Sequence, residues 1–154
     1  MKLSTRTRYG TRALVELAGA WESGEPLSVA TLAEHQELSA KYLEQLMARL
    51  KRAGLVASVP GTGYRLAEAP KRIRLDRVFR ALEGTASLLP CLDAADTCDR
   101  AEACPTRPLW QEMTSALHDR LSRITLQEML PESDGRPSRR RRRPAAHNPM
   151  EESP

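Results

Sequence analysis

The chain has 154 residues, enough for one domain or for a small domain with an appendage. No apolar run reaches the ~20 residues of a membrane helix, and the first residues are polar and basic, unlike a secretory leader. The sequence therefore predicts no membrane partner and a cytoplasmic protein, in which the three cysteines stay reduced.

The positive charge is unevenly distributed. Residues 1–72 hold 11 Lys and Arg against 7 Asp and Glu, residues 73–130 hold 7 against 9, and residues 131–154 hold 6 against 4. The net charge of +4 thus comes from the N-terminal half and the extreme tail. A locally basic module is typical of a protein that binds a polyanion, although a solvated basic face fits the charge equally well.

Three amphipathic helices are predicted before residue 54, because apolar side chains recur at i, i+3, i+4 and i+7. The first runs from about Thr5 to Trp21. Ser28 caps the second and Ser39 caps the third, which Gly54 ends. The residues predicted to face inward are Leu14, Leu17, Ala18, Trp21, Val29, Leu32, Ala33, Leu43, Leu46, Met47 and Leu50.

After Gly54 the pattern becomes strand-like, in residues 55–59 and 64–67. Pro60-Gly61-Thr62-Gly63 between them has the composition of a hairpin loop. A fourth helix is predicted over residues 75–82, closed by Gly84. This order of helices and hairpin predicts a mainly α fold with a winged helix-turn-helix DNA-binding region over residues 1–84.

A long helix is predicted from Pro108 until Pro131 ends the segment. Its apolar stripe consists of Leu109, Met113, Leu117, Leu121 and Ile124. A rod of about 30 Å has too little partner surface in so small a domain. Residues 108–130 are therefore predicted to be the dimerisation helix of a homodimer, and a core helix within one chain is the alternative.

Residues 131–154 contain several prolines, the run Arg139 to Arg143 and almost no apolar side chains. This composition predicts a disordered, Arg-rich tail. The tail either adds salt-sensitive, nonspecific affinity for DNA or serves only to keep the chain soluble.

The only cysteines, Cys91, Cys98 and Cys104, fall within fourteen residues of an acidic loop predicted over residues 85–107. Thiolates are the ligands of iron–sulfur clusters, zinc and copper. The spacing Cys-x6-Cys-x5-Cys is wider than the cysteine pairs of structural zinc sites, which favours an iron–sulfur cluster. A cluster normally takes four protein ligands, so a side chain other than cysteine must supply the fourth. The candidates are Asp93, Asp96, Asp99 and Glu102 in the loop and His118 on the long helix.

The third helix is the predicted recognition helix, because the second helix of a helix-turn-helix pair enters the major groove. Gln45 can form two hydrogen bonds with adenine, and Glu44 can accept a hydrogen bond from the cytosine amino group. A solvent-exposed helix residue without a role in DNA binding is an equally good interpretation of Glu44. The glycines of the hairpin loop allow its backbone to come close to a DNA groove, and the nearby Arg65 can contact phosphate or the minor groove. The predicted DNA-binding residues are Ser39, Lys41, Tyr42, Glu44, Gln45, Gly61 and Arg65.

Several segments of residues 1–130 resemble the IscR/NsrR-type iron–sulfur-dependent winged-helix transcriptional regulators, the Rrf-two family. They are Arg8-Tyr9-Gly10, residues 39–46, residues 50–56, residues 63–67 and residues 104–110. The resemblance implies a homodimeric regulator of the repressor type that binds double-stranded operator DNA, although the residues themselves leave open whether binding represses or activates. It also implies that Glu44 and its neighbours read bases and that the three cysteines ligate the iron of a 2Fe–2S or 4Fe–4S cluster.

The chain departs from that family at two points in the loop. Members that supply a histidine ligand place it three residues after the last cysteine, where this chain has Arg107, which cannot ligate. The first two cysteines of this chain are also one residue further apart than in the family members that match it best. The type of cluster therefore stays open. An iron without a fourth protein ligand would suit sensing of oxygen or nitric oxide.

Other classes of function fit less well. The sequence offers no Ser/His/Asp set and no phosphate loop, and its three histidines are isolated, so no enzyme and no small-molecule substrate are expected. An electron carrier does not need a helix-turn-helix. The alternative that stays open is a regulator without a cluster, whose cysteines form a thiol redox switch or a zinc site.

Overall fold

The computed structural model describes residues 4–84 and 87–131. The predicted disordered tail lies outside the described residues from residue 132 onward, as do residues 1–3 of the DNA-binding region. The helices are α1 (Thr5–Gly19), α2 (Val29–Gln36), α3 (Ala40–Arg52), α4 (Leu75–Glu83), α5 (Pro90–Asp93) and α6 (Arg107–Arg123). The strands are β1 (Val56–Val59) and β2 (Gly63–Leu66), and 3-10 turns occupy Pro70–Arg72, Ala95–Thr97 and Leu126–Met129. Within the described residues no helix is long and apolar enough to span a bilayer.

Serine side chains begin the first three helices. The Ser4 hydroxyl accepts a hydrogen bond from the Thr7 N–H at 3.3 Å, and Ser28 and Ser39 cap α2 and α3 in the same way. These bonds satisfy backbone donors that have no partner inside the helix. The predicted starts of α2 and α3 are confirmed, whereas α1 ends at Gly19, two residues before the predicted Trp21.

The core lies between the first four helices. The four apolar residues predicted on the inner face of α3 are buried, as are Leu14 and Leu17 of α1 and Leu32 of α2. Gly10 allows α1 to approach α4 closely, because a Cβ on it would lie 2.7 Å from the Leu82 Cδ1 atom. This packing fixes α3 on the surface of the domain with one face left for solvent.

The hairpin forms the wing. Strands β1 and β2 pair antiparallel, with Val56 opposite Leu66 and Val59 opposite Gly63. Leu27 adds a short third segment, since its N–H and carbonyl each form a 2.9 Å hydrogen bond with the backbone of Tyr64. The wing is therefore joined to the chain just before α2.

The prediction of one helix running to Pro131 is wrong in its second part. Helix α6 ends at Arg123, and Ile124 is extended. The backbone then pairs with the segment before α4, where Leu75 N–H donates to Ile124 O at 3.0 Å and Leu126 N–H donates to Ile73 O at 2.8 Å. Leu126 is fully buried, so pairing and burial in the core replace two further turns of helix. The 17 residues of α6 span about 25 Å.

Candidate DNA-binding face and cysteine loop

Helix α3 presents a polar outer face. Lys41, Glu44 and Gln45 are exposed, on the side opposite the apolar residues that pack into the core. This is the arrangement that the sequence predicts for a recognition helix. Side chains at these positions are free to meet base edges or phosphates.

Ser39 and Tyr42 have structural contacts at the start of α3. The Ser39 hydroxyl is the helix cap. The Tyr42 hydroxyl lies 3.3 Å from Thr5 Oγ1, and its ring meets the Tyr9 ring edge-on with centroids 6.4 Å apart. Tyr42 is half-buried, so it joins α3 to α1 and leaves only part of its side chain for a ligand.

Two arginines of α1, absent from the sequence-predicted site, lie beside this aromatic pair. The Arg8 guanidinium sits 4.8 Å from the centre of the Tyr9 ring and donates to its hydroxyl at 3.0 Å, and Arg12 lies 5.8 Å from the same ring. Both arginines are exposed. Their i, i+4 spacing on the polar face of α1 was the available signal, but the packing of α1 against α3 is needed to place them next to Tyr42.

The wing carries the remaining predicted DNA-binding residues. Gly61 is exposed at its tip with φ +72°, and Arg65 is exposed on β2 opposite Ala57. The Lys51 ammonium donates to Ser58 Oγ at 2.7 Å, which ties the end of α3 to β1. The predicted residues thus lie on two elements, the recognition helix and the wing.

The cysteine loop connects α4 to α6. Cys91 lies in α5, Cys98 directly follows the 3-10 turn Ala95–Thr97, and Cys104 lies three residues before the start of α6. Cys91 and Cys104 are half-buried, Cys98 is exposed, and all three are free thiols. Among the residues that the structure describes, no group of three or more His, Cys, Asp or Glu side chains is close enough to hold a metal ion.

Cys104 has the most distinctive surroundings of the three thiols. The Thr106 hydroxyl lies 3.3 Å from its sulfur and is the main reason that the pKa of the Cys104 thiol lies below its ordinary value. The backbone of Thr106 and the nearby Arg107 act in the same direction. A lowered pKa increases the thiolate fraction, which is the form that binds metals and attacks oxidants.

The candidate fourth ligands lie apart from a common centre. The four acidic side chains of the loop are exposed, and Ser87 donates to Asp93 Oδ1 at 2.5 Å. His118 faces α4 instead, with its Nε2 atom 3.1 Å from Arg80 Nη2 and 3.6 Å from Asp76 Oδ2. Arg107 turns back under the loop and contacts its backbone.

An open, largely apolar groove of about 940 Å³ lies between α1, α4 and the C-terminal segment. Its lining includes Val15, Leu75, Phe79, Leu121 and Met129. On the first half of α6, Leu109 and Met113 are 50% and 46% exposed, unusually high values for large apolar side chains. A face of α6 and a groove of the same chain are therefore both uncovered.

Together, the winged helix-turn-helix and its outward-facing recognition helix define a DNA-binding transcriptional regulator. The chain belongs to the Rrf2 family: residues 3–132 match the family profile, which is described as an iron-dependent transcriptional regulator. It is 37% identical over 132 residues to the protein rrf2 of Nitratidesulfovibrio vulgaris, covering 84% of this chain and 87% of that protein. It is 38% identical to the HTH-type transcriptional regulator IscR of Photobacterium profundum, covering 84% and 76%.

Solved structures agree with this assignment. CymR (YrzC), the global cysteine regulator of B. subtilis, superposes with a TM-score of 0.67 at 35% identity, over 84% of this chain and 95% of that chain. IscR of T. potens gives 0.66 at 35%, over 84% and 85%. The oxidized form of Staphylococcus aureus CymR gives 0.66 at 33%, over 87% and 99%. The predicted fold class is confirmed, and since the relatives are transcriptional regulators, so is the prediction that the chain is not an enzyme.

Proposed function

We propose that this regulator is a cytoplasmic homodimeric repressor whose affinity for double-stranded operator DNA is set by an iron–sulfur cluster on Cys91, Cys98 and Cys104. One observation carries the proposal: every thiol of the chain lies free in one loop between the DNA-binding region and α6. The family description as iron-dependent supports the same metal.

The donor set suits this cofactor by its chemistry. Three thiols without disulfides are soft ligands, and the lowered pKa of Cys104 favours the thiolate that a cluster needs. Among the described residues the three sulfurs do not form a site for a single metal ion, and most of the loop that carries them is exposed. When bound, the cluster supplies iron that can react with oxygen or nitric oxide.

The loop is placed to affect the DNA-binding region through helices. Helix α5 packs against α6, and α6 packs against α4, which belongs to the core of the winged domain. A change in how the loop is held therefore alters the position of α6 relative to that domain. A differential binding energy of a few kcal/mol between the two states is enough to switch operator occupancy.

On DNA, we assign α3 to the major groove. Glu44 and Gln45 would contact base edges, and Lys41 would contact phosphates. The exposure of all three supports this assignment. Ser39 and Tyr42 would support the helix start and touch the backbone of the DNA, and Gly61 and Arg65 would bring the wing against the adjacent groove.

Two uncovered surfaces support the homodimer: the apolar face of α6 that carries Leu109 and Met113, and the groove between α1, α4 and the C-terminal segment. Leu109 and Met113 lie four residues apart on one face of α6, so they form a continuous apolar strip. A second copy of the chain offers both an identical strip and the groove lined by Phe79 and Leu121. Closed twofold symmetry lets each copy cover the other's surfaces.

The proposal is tested by purifying the protein without air and counting iron and sulfide per chain. Operator affinity is then compared between loaded protein, protein stripped of metal, and the variant C91S/C98S/C104S. We expect a brown loaded form whose operator affinity differs at least about tenfold from the stripped form, and a colourless variant that behaves like the stripped form. Far-UV circular dichroism serves as the control, because none of these cysteines belongs to the core. Equal affinities in all three preparations would contradict the proposal.

A thiol redox switch is the second candidate. It is favoured by the absence of a preassembled metal site among the described residues and by the lowered pKa of Cys104. The similar structure of S. aureus CymR in an oxidized form is consistent with it. Two thiols would transfer two protons and two electrons to hydrogen peroxide, giving one disulfide and two molecules of water. A colourless protein whose operator affinity changes with peroxide, with a disulfide seen by mass spectrometry, would favour this candidate over the cluster.

A further inference from the structure

Arg107 is the first residue of α6 and follows Cys104 by three positions. Its Nη1 atom donates to Cys91 O at 3.1 Å and to Ala101 O at 3.2 Å. Its backbone N–H donates to Cys104 O at 3.2 Å. One residue thus binds the carbonyl oxygens of the first and the last cysteine.

Ala101 extends this contact to the middle cysteine. The Ala101 N–H donates to Cys98 O at 2.9 Å, and its own carbonyl accepts from Arg107. Ala101 is 3% exposed and is the one buried residue between Cys91 and Cys104. The main chains of all three cysteines are therefore connected to Arg107 through one or two hydrogen bonds.

The part of the loop between the cysteines is largely exposed. Residues 93–100 are all exposed, and the backbone hydrogen bonds of Thr97 and Cys98 reach back only three residues, to Ala94 and Ala95. The bond from Arg107 to Cys91 spans sixteen residues. Because hydrogen bonds from a charged donor are stronger than neutral ones, we expect the bond from Arg107 to Cys91 to hold the loop more firmly than the neutral bond from Leu88 N–H to Thr114 Oγ1 at 3.3 Å.

We infer that Arg107 is a positioning residue for the cysteine loop, which holds the three cysteine main chains at a fixed spacing before any metal binds. A guanidinium has no free lone pair and stays protonated, so it cannot be a ligand itself. It closes the loop with hydrogen bonds instead. The link to cluster assembly rests on the proposed function, whereas the holding of the metal-free loop does not.

The first test uses metal-free full-length protein. Hydrogen exchange of amides 91–107 is compared between wild type, Arg107→Ala and the matched control Arg100→Ala. Arg100 is an exposed arginine of the same loop and takes no part in the hydrogen bonds of Arg107 described above. We expect exchange at Ala101 and its neighbours to rise roughly tenfold or more in Arg107→Ala only. An unchanged thermal midpoint would show that the winged domain stays folded.

The second test loads the same proteins with iron and sulfide without air and follows the absorbance of the cluster after exposure to oxygen. We expect Arg107→Ala to take up less iron and to lose its absorbance several-fold faster than wild type and Arg100→Ala. Arg107→Lys, which keeps the charge and some donor capacity, should lie between them.

The outcomes separate the two proposals. If Arg107→Ala exchanges like wild type in the metal-free state, the inference is overturned regardless of iron content. If exchange rises but iron uptake and cluster lifetime match wild type, the positioning role for the cofactor is overturned. If wild type takes up no iron while the loop of Arg107→Ala still loosens, the cluster proposal fails and the structural role of Arg107 stands.

Discussion

Gly63 lies at the start of β2, where Leu27 crosses the wing. A Cβ at this position would lie 2.0 Å from the Leu27 carbonyl oxygen, and φ is +153°, a backbone conformation that residues with a side chain rarely adopt. We predict that Gly63→Ala lowers the free energy of unfolding by about 2–4 kcal/mol, because the Leu27 backbone must move and weaken its two bonds to Tyr64. Urea unfolding followed by circular dichroism measures the change.

The control for this substitution is Gly19→Ala. Gly19 ends α1, and a Cβ there meets nothing within 4 Å. Its stability should match or slightly exceed wild type, since Ala favours a helix more than Gly does. A Gly63→Ala variant as stable as this control would show that the crossing at Leu27 is not close.

Glu83 joins the end of α4 to the start of α1. Its carboxylate accepts hydrogen bonds from the Thr7 hydroxyl and from the Ser4 hydroxyl and N–H, the last two at 2.7 and 3.2 Å. Burial raises the pKa of Glu83, but these hydrogen bonds outweigh it, so the pKa lies below its ordinary value of 4.5. The stability that this adds is fully present above pH 4.5 and is lost as the pH falls through the folded-state pKa.

We therefore predict that Glu83→Gln destabilises the protein by about 1 kcal/mol at pH 7 and that the difference from wild type shrinks as the pH falls below 4.5. Thermal unfolding at several pH values gives the measurement. Glu112→Gln, at an exposed position on α6, is the control and should follow wild type throughout. A deficit that stays constant down to pH 3 would mean that the charge of Glu83 is not involved.

At the scale of elements, we assign base reading to a few exposed side chains of α3. A carboxylate facing DNA repels phosphates, so Glu44 is useful there only if it accepts from a base. We predict that Glu44→Ala loses about 1–3 kcal/mol of discrimination at one base pair of the operator and keeps or gains nonspecific affinity. Fluorescence anisotropy on a set of single-base operator variants measures this.

Glu34→Ala on α2 is the matched control, since it removes an equally exposed carboxylate from the neighbouring helix. Its base preferences should be those of wild type. If both variants show the wild-type preference at every position, Glu44 does not read a base.

At the C-terminal helix, the apolar periodicity of the sequence does not mark where the helix ends. Leu121, Ile124 and Leu126 are all apolar, so the pattern continues after the helix has ended. Thr125 and Glu128 then form a reciprocal capping box that starts a new 3-10 turn. The strand-like pairing with Ile73–Leu75 comes from residues some fifty positions away, and no local pattern in the sequence reveals it.

At the scale of the whole molecule, the uncovered strip on α6 predicts the oligomeric state. We expect the double variant L109E/M113E to be monomeric at concentrations where wild type is a dimer, because two carboxylates would have to be buried in an apolar contact. Light scattering coupled to size-exclusion chromatography gives the mass. Operator affinity should fall strongly, since the two half-sites would then be bound independently.

Gln111→Glu is the control for this variant, because Gln111 lies two positions from Leu109 and therefore on another side of the helix. It should leave the mass unchanged. A dimeric double variant would place the interface elsewhere on the chain.

Within the cysteine loop, the sequence singles out the candidate ligands but not the residue that holds them in place. Three thiols in fourteen residues are visible by inspection, and their donor chemistry does not depend on the fold. The hydrogen bonds of Arg107 to Cys91 and Ala101 depend on how the start of α6 turns back under the loop. From sequence alone, Arg107 is only a position that cannot ligate.

The sequence by itself determined the winged helix-turn-helix, the serine caps of α2 and α3, the inner face of α3 and the clustering of the cysteines. These features depend on local periodicity and on the hydrogen-bonding capacity of single residues, which neighbours in the chain suffice to specify. Only the tertiary structure decided where α6 ends, how Leu27 joins the wing, and which residue ties the cysteine loop together. Those features depend on backbone groups far apart in sequence that meet only after the core has packed, and such meetings leave no periodic signal in the chain.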